Sequence, residues 1–420
     1  MARLIYSFFF YFIQPWVWLR LLWRARKQPA YLRHIGERYG FYSGDVPQKL
    51  FWLHAVSVGE TRAAEPLIRA LLDGFPEYCI LMTHMTPTGR ETGKELISRH
   101  CERLMQAYLP YDLPDACHRF LSRFKPVCGV LMETEIWPNL IVSAQKNAIP
   151  MLLVNARLSE RSQCAYKRLL PLVKPALSIL SVAAQTVADA GRLEEIGARR
   201  VHVSGNLKFD VAPSPEKRQL GKEWRKALGS RRAWLAASTR EGEEALILDA
   251  FARIPLPILL ILVPRHPQRF DEVAANIEAR NLSFCRRGKG EFPDGKTRVW
   301  LGDSMGEMPA YYTAADLALI GGTLLPFGGQ NLIEAAACGC PAFVGTHTFN
   351  FAQAVEDSIA RGAALRVADA QDAARQALRL FDDGKALAAM REAALGFSRE
   401  HRGATEKTLE LIREITGLAA

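Results

Sequence analysis

The sequence LFWLHAVSVGETRAAEPLIRALL, residues 50–72, decides the fold class of this protein. Its apolar beginning, Leu50–Val58, predicts a β-strand. From Ala63 to Leu72 the apolar residues recur with the 3.6-residue spacing of a helix that packs one face on a core. A strand followed by such a helix is the repeating unit of a parallel sheet that is covered by helices. This stretch therefore predicts an α/β protein.

The same alternation of apolar runs and helical patterns recurs in both halves of the chain. The other candidate strands of the first half are Cys79–Met85, Val127–Met132, Pro150–Asn155, Leu177–Ala184 and Val201–Ser204. Those of the second half are Ala233–Ala237, Ile258–Val263, Arg298–Leu301, Leu317–Gly321 and Pro341–Val344. This order predicts two doubly wound parallel sheets with helices on both faces.

A polar stretch that contains proline, Val211–Gln219, is typical of a linker between the two halves. We therefore expect one Rossmann-like domain over residues 25–210 and a second over residues 211–420. The second would be closed by the helical pattern that runs from Ala370 to Leu418. Two such sheets would face a cleft, and the carboxyl ends of their strands would bind ligands there.

The N-terminal segment carries the strongest hydrophobic signal. Leu4–Leu19 contains no charged residue, and as a helix its sixteen residues would span about 24 Å. That length is enough just to cross the apolar core of a bilayer, or to lie in its surface. Three tryptophans between residues 16 and 23, followed by the basic Arg24–Lys27, are typical of the membrane–water boundary.

We therefore expect residues 1–24 to form a retained N-terminal membrane helix, a signal-anchor, because no small-residue cleavage site follows them. The excess of positive charge after this segment places the rest of the chain in the cytoplasm. The alternative is an amphipathic helix that packs on the body of the protein.

Composition and charge exclude several classes of protein. The 420 residues are 49% hydrophobic and 23% charged, which excludes a largely disordered or collagen-like chain. The net charge is +10, but residues 1–40 hold seven basic residues and one acidic residue. Because the excess is concentrated there, we expect no nucleic-acid partner. The eight cysteines form no CxxC pair, and we expect reduced thiols in the core.

Two features of the sequence give negative predictions. Gly290–Thr297 matches the P-loop pattern GxxxxGK[ST], but a strand-like stretch follows it where a P-loop needs a helix. We therefore expect no nucleotide hydrolysis at this segment. The sequence also contains no Asp-x-Asp motif, so we expect neither a metal nor another cofactor in catalysis.

Acidic and basic side chains follow several candidate strands of the first half. Glu60 comes directly after the first strand, either as a first-turn acid favoured by the helix dipole or as a general base. Glu133 and Glu135 follow the strand that ends at Met132, and their side chains should diverge into different environments, one facing the cleft and the other capping nearby amides. The alternative is that both are ordinary loop acids. Lys208, beside the linker, is either a surface lysine or a cation that offsets negative charge in the cleft.

The second half carries signals of anion binding. Arg265 and His266 form a stiff cationic pair between prolines just after a buried strand, which suits a phosphate or carboxylate ligand. A glycine-rich run, 321–329, then leads into a helix that contains Glu334. Free N–H groups at such a helix start bind anions, and Glu334 would accept from ribose hydroxyls. The alternative is a sharp turn without a ligand.

Several of these segments together resemble a known family. They are HAVSVGE (54–60), MTPTG (85–89), YLPYDLPDA (108–116), METEIWPNL (132–140), NARLSERS (155–162), NLKFD (206–210), VPRHPQRF (263–270), GDSMGEM (302–308), GGQNLIEAAACGCP (328–341) and GTHTFNF (345–351). They are similar to the motifs of 3-deoxy-D-manno-octulosonate (Kdo) transferases of lipopolysaccharide assembly. The resemblance implies a GT-B fold and inverting transfer of Kdo from CMP-Kdo to the lipid A precursor. It also implies a location at the cytoplasmic face of the inner membrane, among its lipids.

The resemblance also implies roles for individual residues. Glu60 would be the general base, and Glu133 and Lys208 would stabilise the transition state. The CMP part of the donor would be held by Arg265, His266, Met305, Gly306, Glu307, Asn331, Leu332, Ile333 and Glu334. The sequence departs from the family pattern at Thr83-His84 and at Gln330, which puts the fine geometry of the acceptor site in question.

Two other hypotheses compete with this one. The first is another membrane-associated GT-B glycosyltransferase that uses a UDP-sugar, although the METEIWPN and VPRHP segments would then differ. The second is a membrane-tethered nucleotide-binding protein without catalytic activity, in which Glu60 would have no chemical role.

Overall fold

The computed structural model describes residues 1–100, 103–211 and 213–418, with the backbone alone at residues 99 and 100. The chain divides into two compact units. Unit 1 comprises Met1–Val211 and Arg402–Ala420, and unit 2 comprises Ala212–His401.

Unit 1 is built on a seven-stranded parallel sheet in the order β3-β2-β1-β4-β5-β6-β7. Its strands are β1 (Leu50–His54), β2 (Cys79–His84), β3 (Leu104–Tyr108), β4 (Cys128–Met132), β5 (Met151–Ala156), β6 (Ser181–Ala184) and β7 (Arg200–Val203). Its first nine helices are α1 (Ala2–Phe12), α2 (Gln14–Ala25), α3 (Val58–Gly74), α4 (Pro87–His100), α5 (Pro114–Phe124), α6 (Pro138–Lys146), α7 (Glu160–Arg168), α8 (Leu170–Leu177) and α9 (Val187–Glu195).

The central strand β1 shows why its apolar run forms buried structure. Leu50 and Trp52 enter the core on one face of the sheet, and Phe51 and Leu53 enter the core on the other. A strand of a parallel sheet is covered by helices on both faces, so successive positions are apolar and do not alternate with polar ones. The strand ends at His54, earlier than the sequence predicts, because Ser57 caps a helix that already begins at Val58.

Unit 2 is built on a second seven-stranded parallel sheet in the order β10-β11-β9-β8-β12-β13-β14. Its strands are β8 (Ala233–Thr239), β9 (Leu259–Pro264), β10 (Phe284–Arg286), β11 (Val299–Leu301), β12 (Leu317–Ile320), β13 (Ala342–Val344) and β14 (Ala364–Arg366). Its helices are α10 (Pro215–Leu228), α11 (Glu243–Phe251), α12 (Phe270–Glu278), α13 (Met308–Ala314), α14 (Ile333–Ala337), α15 (Ala352–Ala360), α16 (Ala370–Asp382) and α17 (Gly384–Glu400). The predicted class, two doubly wound Rossmann-like sheets, is confirmed.

The last helix, α18 (Ala404–Thr416), belongs to unit 1, whereas the sequence placed it in the C-terminal domain. The Asp210 carboxylate accepts hydrogen bonds from the amides of Gly403 and Thr405, at 2.7 and 2.5 Å. Leu409 and Ile412 join the same apolar core as α3. The composition of the C-terminal segment predicted a helix, but only its packing shows which core receives its apolar face.

The predicted linker is also shorter than the sequence suggested. Helix α10 begins at Pro215, so the stretch from Pro215 to Gln219 is helical. Ser214 caps this helix through a hydrogen bond to the amide of Lys217. Proline is well accepted in the first turn of a helix, where its missing N–H would have no intrahelical partner.

The N-terminal segment forms two short helices and not the single one that we expected. α1 ends at Phe12, Ile13 lies between the helices, and Pro15 lies in the first turn of α2. Among the described residues, no helix combines the length and the apolar character that a membrane crossing needs. α1 contacts the body of unit 1, where the Ser7 hydroxyl donates to the Asn139 side chain at 3.1 Å.

The seven described cysteines are free. Cys117, Cys128, Cys285 and Cys340 are buried, as expected of core thiols, whereas Cys164 is exposed. Cys101, the eighth cysteine, lies outside the described residues.

Candidate active site

Glu60 lies in the first turn of α3, just beyond the carboxyl end of β1. Its two carboxylate oxygens accept hydrogen bonds from the Ser57 hydroxyl at 2.9 Å and from the Val56 amide at 2.7 Å. Ser57 in turn accepts from the amide of Glu60. This arrangement is a variant of the capping box, so the structural interpretation of Glu60 holds. A carboxylate has about four acceptor positions, however, and the same contacts fix its orientation for a further donor.

Burial raises the pKa of Glu60 above its usual value, and the Val56 amide partly offsets this effect. The charge of Glu133 also raises this pKa, and the charge of Lys208 lowers it. Glu60 therefore lies within electrostatic reach of both other residues of the predicted site. A buried carboxylate with a raised pKa is a stronger base than a solvated one.

Glu133 occupies a strained position directly after β4. Its φ of +57° is in the left-handed region, which residues with a Cβ seldom adopt. The amide of Glu133 donates to the Val154 carbonyl on neighbouring β5 at 2.8 Å, which holds the backbone there. Strain of this kind concentrates at functional sites, where the surrounding structure maintains it.

Lys208 meets Glu133 across the carboxyl edge of the sheet. Its Nζ lies 3.9 Å from Oε1 of Glu133, and both side chains are about one-third exposed or less, at 28% and 33%. Lys208 belongs to a 3-10 helix, Leu207–Asp210, that Asn206 caps through a hydrogen bond to the amide of Lys208. The structure therefore brings Glu60, Glu133 and Lys208, three residues far apart in the sequence, into one cluster.

Glu135 is a third carboxylate of this cluster, which the sequence analysis left without a role. Burial and the charges of Glu60 and Glu133 raise the pKa of Glu135 to about 7, although the Trp137 side chain partly lowers it. Glu133 is the carboxylate that faces Lys208, and Glu135 is the one held in a more apolar environment. The expectation that the two side chains occupy different environments is confirmed.

Asn155 is a residue of this edge that the sequence analysis named only within a motif. It is fully buried, its φ is +55°, and its Oδ1 accepts from the amide of Leu207 at 3.1 Å. This bond anchors the segment that carries Lys208. The signal in the sequence was an asparagine at a strand end, since asparagine tolerates the left-handed conformation.

His84, one of the two departures from the family pattern, has a structural role. The ring is buried, and its Nδ1 lies 3.0 Å from the carbonyl oxygen of Ala55. Burial lowers the pKa of His84 to about 4, so the ring is neutral at pH 7. It joins the ends of β2 and β1 close to the Ser57–Glu60 turn.

In unit 2, Arg265 and His266 follow β9 in a loop that the core holds firmly. The amide of Arg265 donates to the Thr239 carbonyl at the end of β8, at 3.0 Å. Further along the loop, Arg269 pairs with the buried carboxylate of Glu244 at 2.7 and 3.2 Å. These contacts fix a cationic segment at the carboxyl edge of the second sheet.

The environment of His266 identifies a further cation nearby. Burial lowers the pKa of His266, and the charges of Arg240, Arg265 and Arg269 lower it further. Arg240 directly follows β8, and the sequence analysis did not single it out. Because His266 is held toward its neutral form, the arginines carry the positive charge of this edge at pH 7.

Met305, Gly306 and Glu307 lie in the loop after β11. Met305 is 60% exposed, and Gly306 has a φ of +74° that suits glycine. Glu307 is buried and accepts from Arg287 at 3.1 and 3.0 Å and from the Ser304 hydroxyl at 2.6 Å. Burial opposes ionisation of Glu307, but these hydrogen bonds outweigh it and lower the pKa. Glu307 is therefore an ionised anchor of the loop.

Asn331, Leu332, Ile333 and Glu334 lie at the start of α14. The Asn331 side chain accepts from the amide of Ile333 at 3.0 Å, so one donor of the first turn is already used. Leu332 and Ile333 are buried, and their side chains point into the core. α14 has only five residues, and Glu334 lies in its first turn. Of these four residues, Asn331 and Glu334 are the partly exposed ones.

Glu243 organises the glycine-rich run and was missed by the sequence analysis. It is fully buried, and its carboxylate accepts from the amides of Gly322 at 2.6 Å, Leu324 at 3.0 Å and Arg240 at 2.8 Å. The loops after β8 and β12 are therefore joined through one side chain. Local spacing does not mark the link between the two loops, because the amides of Gly322 and Leu324 lie some eighty residues along the chain from Glu243.

Within the residues that the structure describes, no group of three His, Cys, Asp or Glu side chains is arranged to hold a metal ion. Gly290–Thr297, the P-loop pattern, lies between a 3-10 turn and β11, in the reversed context that the sequence indicated.

Comparison with known proteins shows the family. Residues 33–211 match the family model described as 3-deoxy-D-manno-octulosonic-acid transferase, and residues 292–396 match glycosyl transferases group 1. The 3-deoxy-D-manno-octulosonic acid transferase of Bordetella pertussis is 45% identical over 99% of this chain and 100% of its own length. The enzyme of the same name from Haemophilus influenzae is 35% identical over 98% of both chains.

A solved structure supports the architecture alone. The glycosyltransferase from Rickettsia africae ESF-5 matches 89% of this chain and 100% of its own chain with a TM-score of 0.59, at 13% identity. The fold is therefore GT-B-like. The two curated relatives, 45% and 35% identical, cover nearly the whole chain. The chain therefore belongs to the Kdo transferases, the glycosyltransferases of lipopolysaccharide biosynthesis.

Proposed function

We propose that this protein transfers Kdo from CMP-Kdo to the lipid A precursor, with inversion at the anomeric carbon and release of CMP. A hydroxyl oxygen of the acceptor forms a bond to the anomeric carbon while the bond from that carbon to the phosphate oxygen breaks. Glu60 takes the proton of the hydroxyl, and the bonding electrons leave with CMP. Family membership and the oriented Glu60 carboxylate support this assignment.

The cluster in unit 1 carries the proposal. The Ser57 and Val56 contacts hold Glu60 in one orientation, at 2.9 and 2.7 Å, and burial makes the carboxylate more basic. An oriented base near its required protonation state accelerates proton transfer by about 10²–10⁴-fold. The Glu133–Lys208 pair lies beside it and supplies opposite charges that stabilise a transition state in which charge separates.

Unit 2 supplies the donor site in this proposal. The loops after β9, β11 and β12 carry the residues assigned to CMP, and all three leave the carboxyl edge of one sheet. Ligands of doubly wound sheets bind at that edge. Arg265 stabilises the charge that the leaving phosphate gains.

We further propose that α1 and α2 lie in the surface of the inner membrane, at its cytoplasmic face. Their exposed apolar side chains include Leu4, Phe8, Phe12, Trp16 and Trp23, which are 62–75% exposed. The arginines of α2 and the residues after it suit a surface of anionic phosphates. The acceptor would remain in the bilayer, because extracting its acyl chains costs about 0.8 kcal/mol per CH₂.

The test is a donor comparison with the purified full chain. The protein is incubated with lipid A precursor and either CMP-Kdo or a series of UDP-sugars, and the lipid products are identified by mass spectrometry. We expect a mass increase of Kdo with CMP-Kdo alone. Transfer from a UDP-sugar only, or no transfer from either donor, would overturn the proposal.

A further inference from the structure

Arg240 and Arg265 are neighbours at the carboxyl edge of the second sheet. Thr239 and Pro264 are register partners on the parallel strands β8 and β9, and each arginine is the next residue along its strand. Adjacent strands lie about 4.8 Å apart, so the two backbones leave the sheet side by side. The family resemblance assigns Arg265 to the nucleotide, whereas no role has been assigned to Arg240.

The structure holds the Arg240 side chain in a defined place. Its amide is bonded to the buried Glu243 carboxylate at 2.8 Å, and its guanidinium lies over the Phe327 ring at 4.6 Å. A Cβ added at Gly322 would lie 3.5 Å from Cγ of Arg240, so the side chain runs along the glycine-rich turn. A stacked guanidinium has a fixed plane and presents its edge as a fork of N–H donors.

The charge of Arg240 is not neutralised within the described part of the protein. No carboxylate of those residues lies within ion-pair distance of its guanidinium, whereas nearby Arg269 pairs with Glu244 and Glu272. Burial and the charges of Arg240, Arg265 and Arg269 hold the pKa of His266 below its usual value, so this ring does not add to the positive charge at pH 7. An unpaired, half-buried arginine that is fixed in position is well suited to a planar anion.

The proposed donor carries two anionic groups on one carbon. The anomeric carbon of a 3-deoxy-2-ulosonic acid bears a carboxylate, and in the activated donor it also bears the oxygen of the nucleotide phosphate. The donors of most sugar transferases, nucleotide-linked aldoses, carry no carboxylate at that carbon. A site for the ulosonic acid therefore needs a second cation beside the phosphate-binding one.

We propose that Arg240 binds the carboxylate of the ulosonic-acid donor and so determines the specificity of the site for this class of sugar. The inference rests on the proposed function, because it requires CMP-Kdo as the donor. Arg240 acts as a bidentate partner of the carboxylate, and Arg265 contacts the phosphate next to it. CMP alone, which lacks the carboxylate, gains nothing from Arg240.

The test separates the two anions by measuring two ligands on one set of variants. Calorimetry gives the Kd of CMP, and steady-state kinetics gives the KM of CMP-Kdo at saturating acceptor. The variants are Arg240→Gln, which removes the charge, Arg240→Lys, which keeps the charge without the fork, and Arg265→Gln. Arg375→Ala, an exposed arginine on α16 whose side chain is 72% exposed, is the matched control.

We expect Arg240→Gln to raise the KM of CMP-Kdo by about tenfold or more, the affinity that one charge-assisted hydrogen bond supplies. Its Kd for CMP should stay within about twofold of the wild type, which also shows that unit 2 is folded. The KM of Arg240→Lys for CMP-Kdo should lie between those of the wild type and Arg240→Gln. Arg265→Gln should weaken the binding of both CMP and CMP-Kdo, and Arg375→Ala should change neither.

Two results would overturn the inference. Equal weakening of CMP and CMP-Kdo by Arg240→Gln would mean that the side chain serves the phosphate or the shape of the loop. An unchanged KM would mean that it does not touch the donor. If the wild type itself fails to turn over CMP-Kdo, the proposed function fails first, and that outcome is distinct from both.

Discussion

Replacing Glu60 with glutamine should remove catalysis and leave the fold in place. The Glu60 carboxylate accepts from the Val56 amide and from the Ser57 hydroxyl. The glutamine Oε1 keeps the first bond, and its NH₂ group donates to Ser57 Oγ, which has two lone pairs. Because both contacts survive, we expect the free energy of unfolding to change by no more than about 1 kcal/mol.

The rate of Kdo transfer by Glu60→Gln should fall sharply, in contrast to its stability. Glutamine cannot take the proton of the acceptor hydroxyl, so the contribution of the base, about 10²–10⁴-fold, is lost. This loss corresponds to about 3–5 kcal/mol of transition-state stabilisation. Glu60→Ala should lose the same rate but also destabilise the protein by about 1–3 kcal/mol, since the Val56 amide loses its partner.

The chain provides a matched control at the start of α9. Asp189 is also an acid in the first turn of its helix, and Thr186 is the N-cap residue of that helix. The Asp189 carboxylate accepts a hydrogen bond from the Leu158 amide at 2.9 Å. Asp189→Asn therefore repeats the chemical change of Glu60→Gln in a second capping motif of the same unit. We expect this variant to retain wild-type turnover.

The assay is the initial rate of Kdo transfer to the lipid acceptor, read by mass spectrometry, together with urea unfolding of each variant. Since burial raises the pKa of Glu60, kcat/KM of the wild type should fall with decreasing pH at a higher pH than an ordinary glutamate would give. Glu60→Gln activity within about tenfold of the wild type would refute the role of Glu60 as general base.

Three further predictions concern stability and membrane binding. The pKa of Glu135 is raised from 4.5 to about 7, so between these pH values the native state retains a proton that the unfolded chain releases. The free energy of unfolding, measured with urea, should therefore fall as pH rises through this interval, and Glu135→Gln should reduce this dependence on pH. An unaltered slope would contradict the assignment. Glu243→Ala leaves buried amides without partners, so it should lower the free energy of unfolding by about 2–5 kcal/mol. It should also weaken CMP binding in calorimetry. An unfolding midpoint equal to that of the wild type would contradict the organising role of Glu243. The double variant Phe8→Ser, Trp16→Ser should bind anionic vesicles more than about tenfold more weakly in a sedimentation assay. The reason is that each exposed ring contributes about 1.5–3 kcal/mol when it is buried in lipid. Unchanged sedimentation would exclude α1 and α2 as the membrane contact.

The sequence predicted the central strands well but missed three of the four edge strands, β3, β10 and β14. Central strands such as β1 and β9 are buried on both faces, and their continuous apolar runs are visible in the sequence. β3 contains the half-buried Gln106, and β10 and β14 have only three residues each. An edge strand needs fewer apolar residues, so its local pattern resembles that of a loop.

The placement of several candidate site residues was predictable from their position at a strand end, whereas their roles stay predictions. Glu60, Glu133 and Lys208 follow strands of the first sheet and Arg265 follows a strand of the second, and parallel strands bring such positions to the carboxyl edge of their own sheet. Their partners were not predictable in this way. Glu243, whose amide partners at Gly322 and Leu324 are distant in the sequence, and Arg240, which lies over Phe327, acquire their roles only through folding.

The amino-acid sequence by itself determined the α/β class, the two sheets and the family, because hydrophobic periodicity and long motifs are local properties of the chain. Tertiary structure alone decided that α18 packs on unit 1, that Glu307 is bound to Arg287, and that Lys208 lies 3.9 Å from Glu133. Each of these facts joins residues that are distant along the chain. The order of the strands and the packing of apolar faces determine which of them meet, and no local pattern records that order.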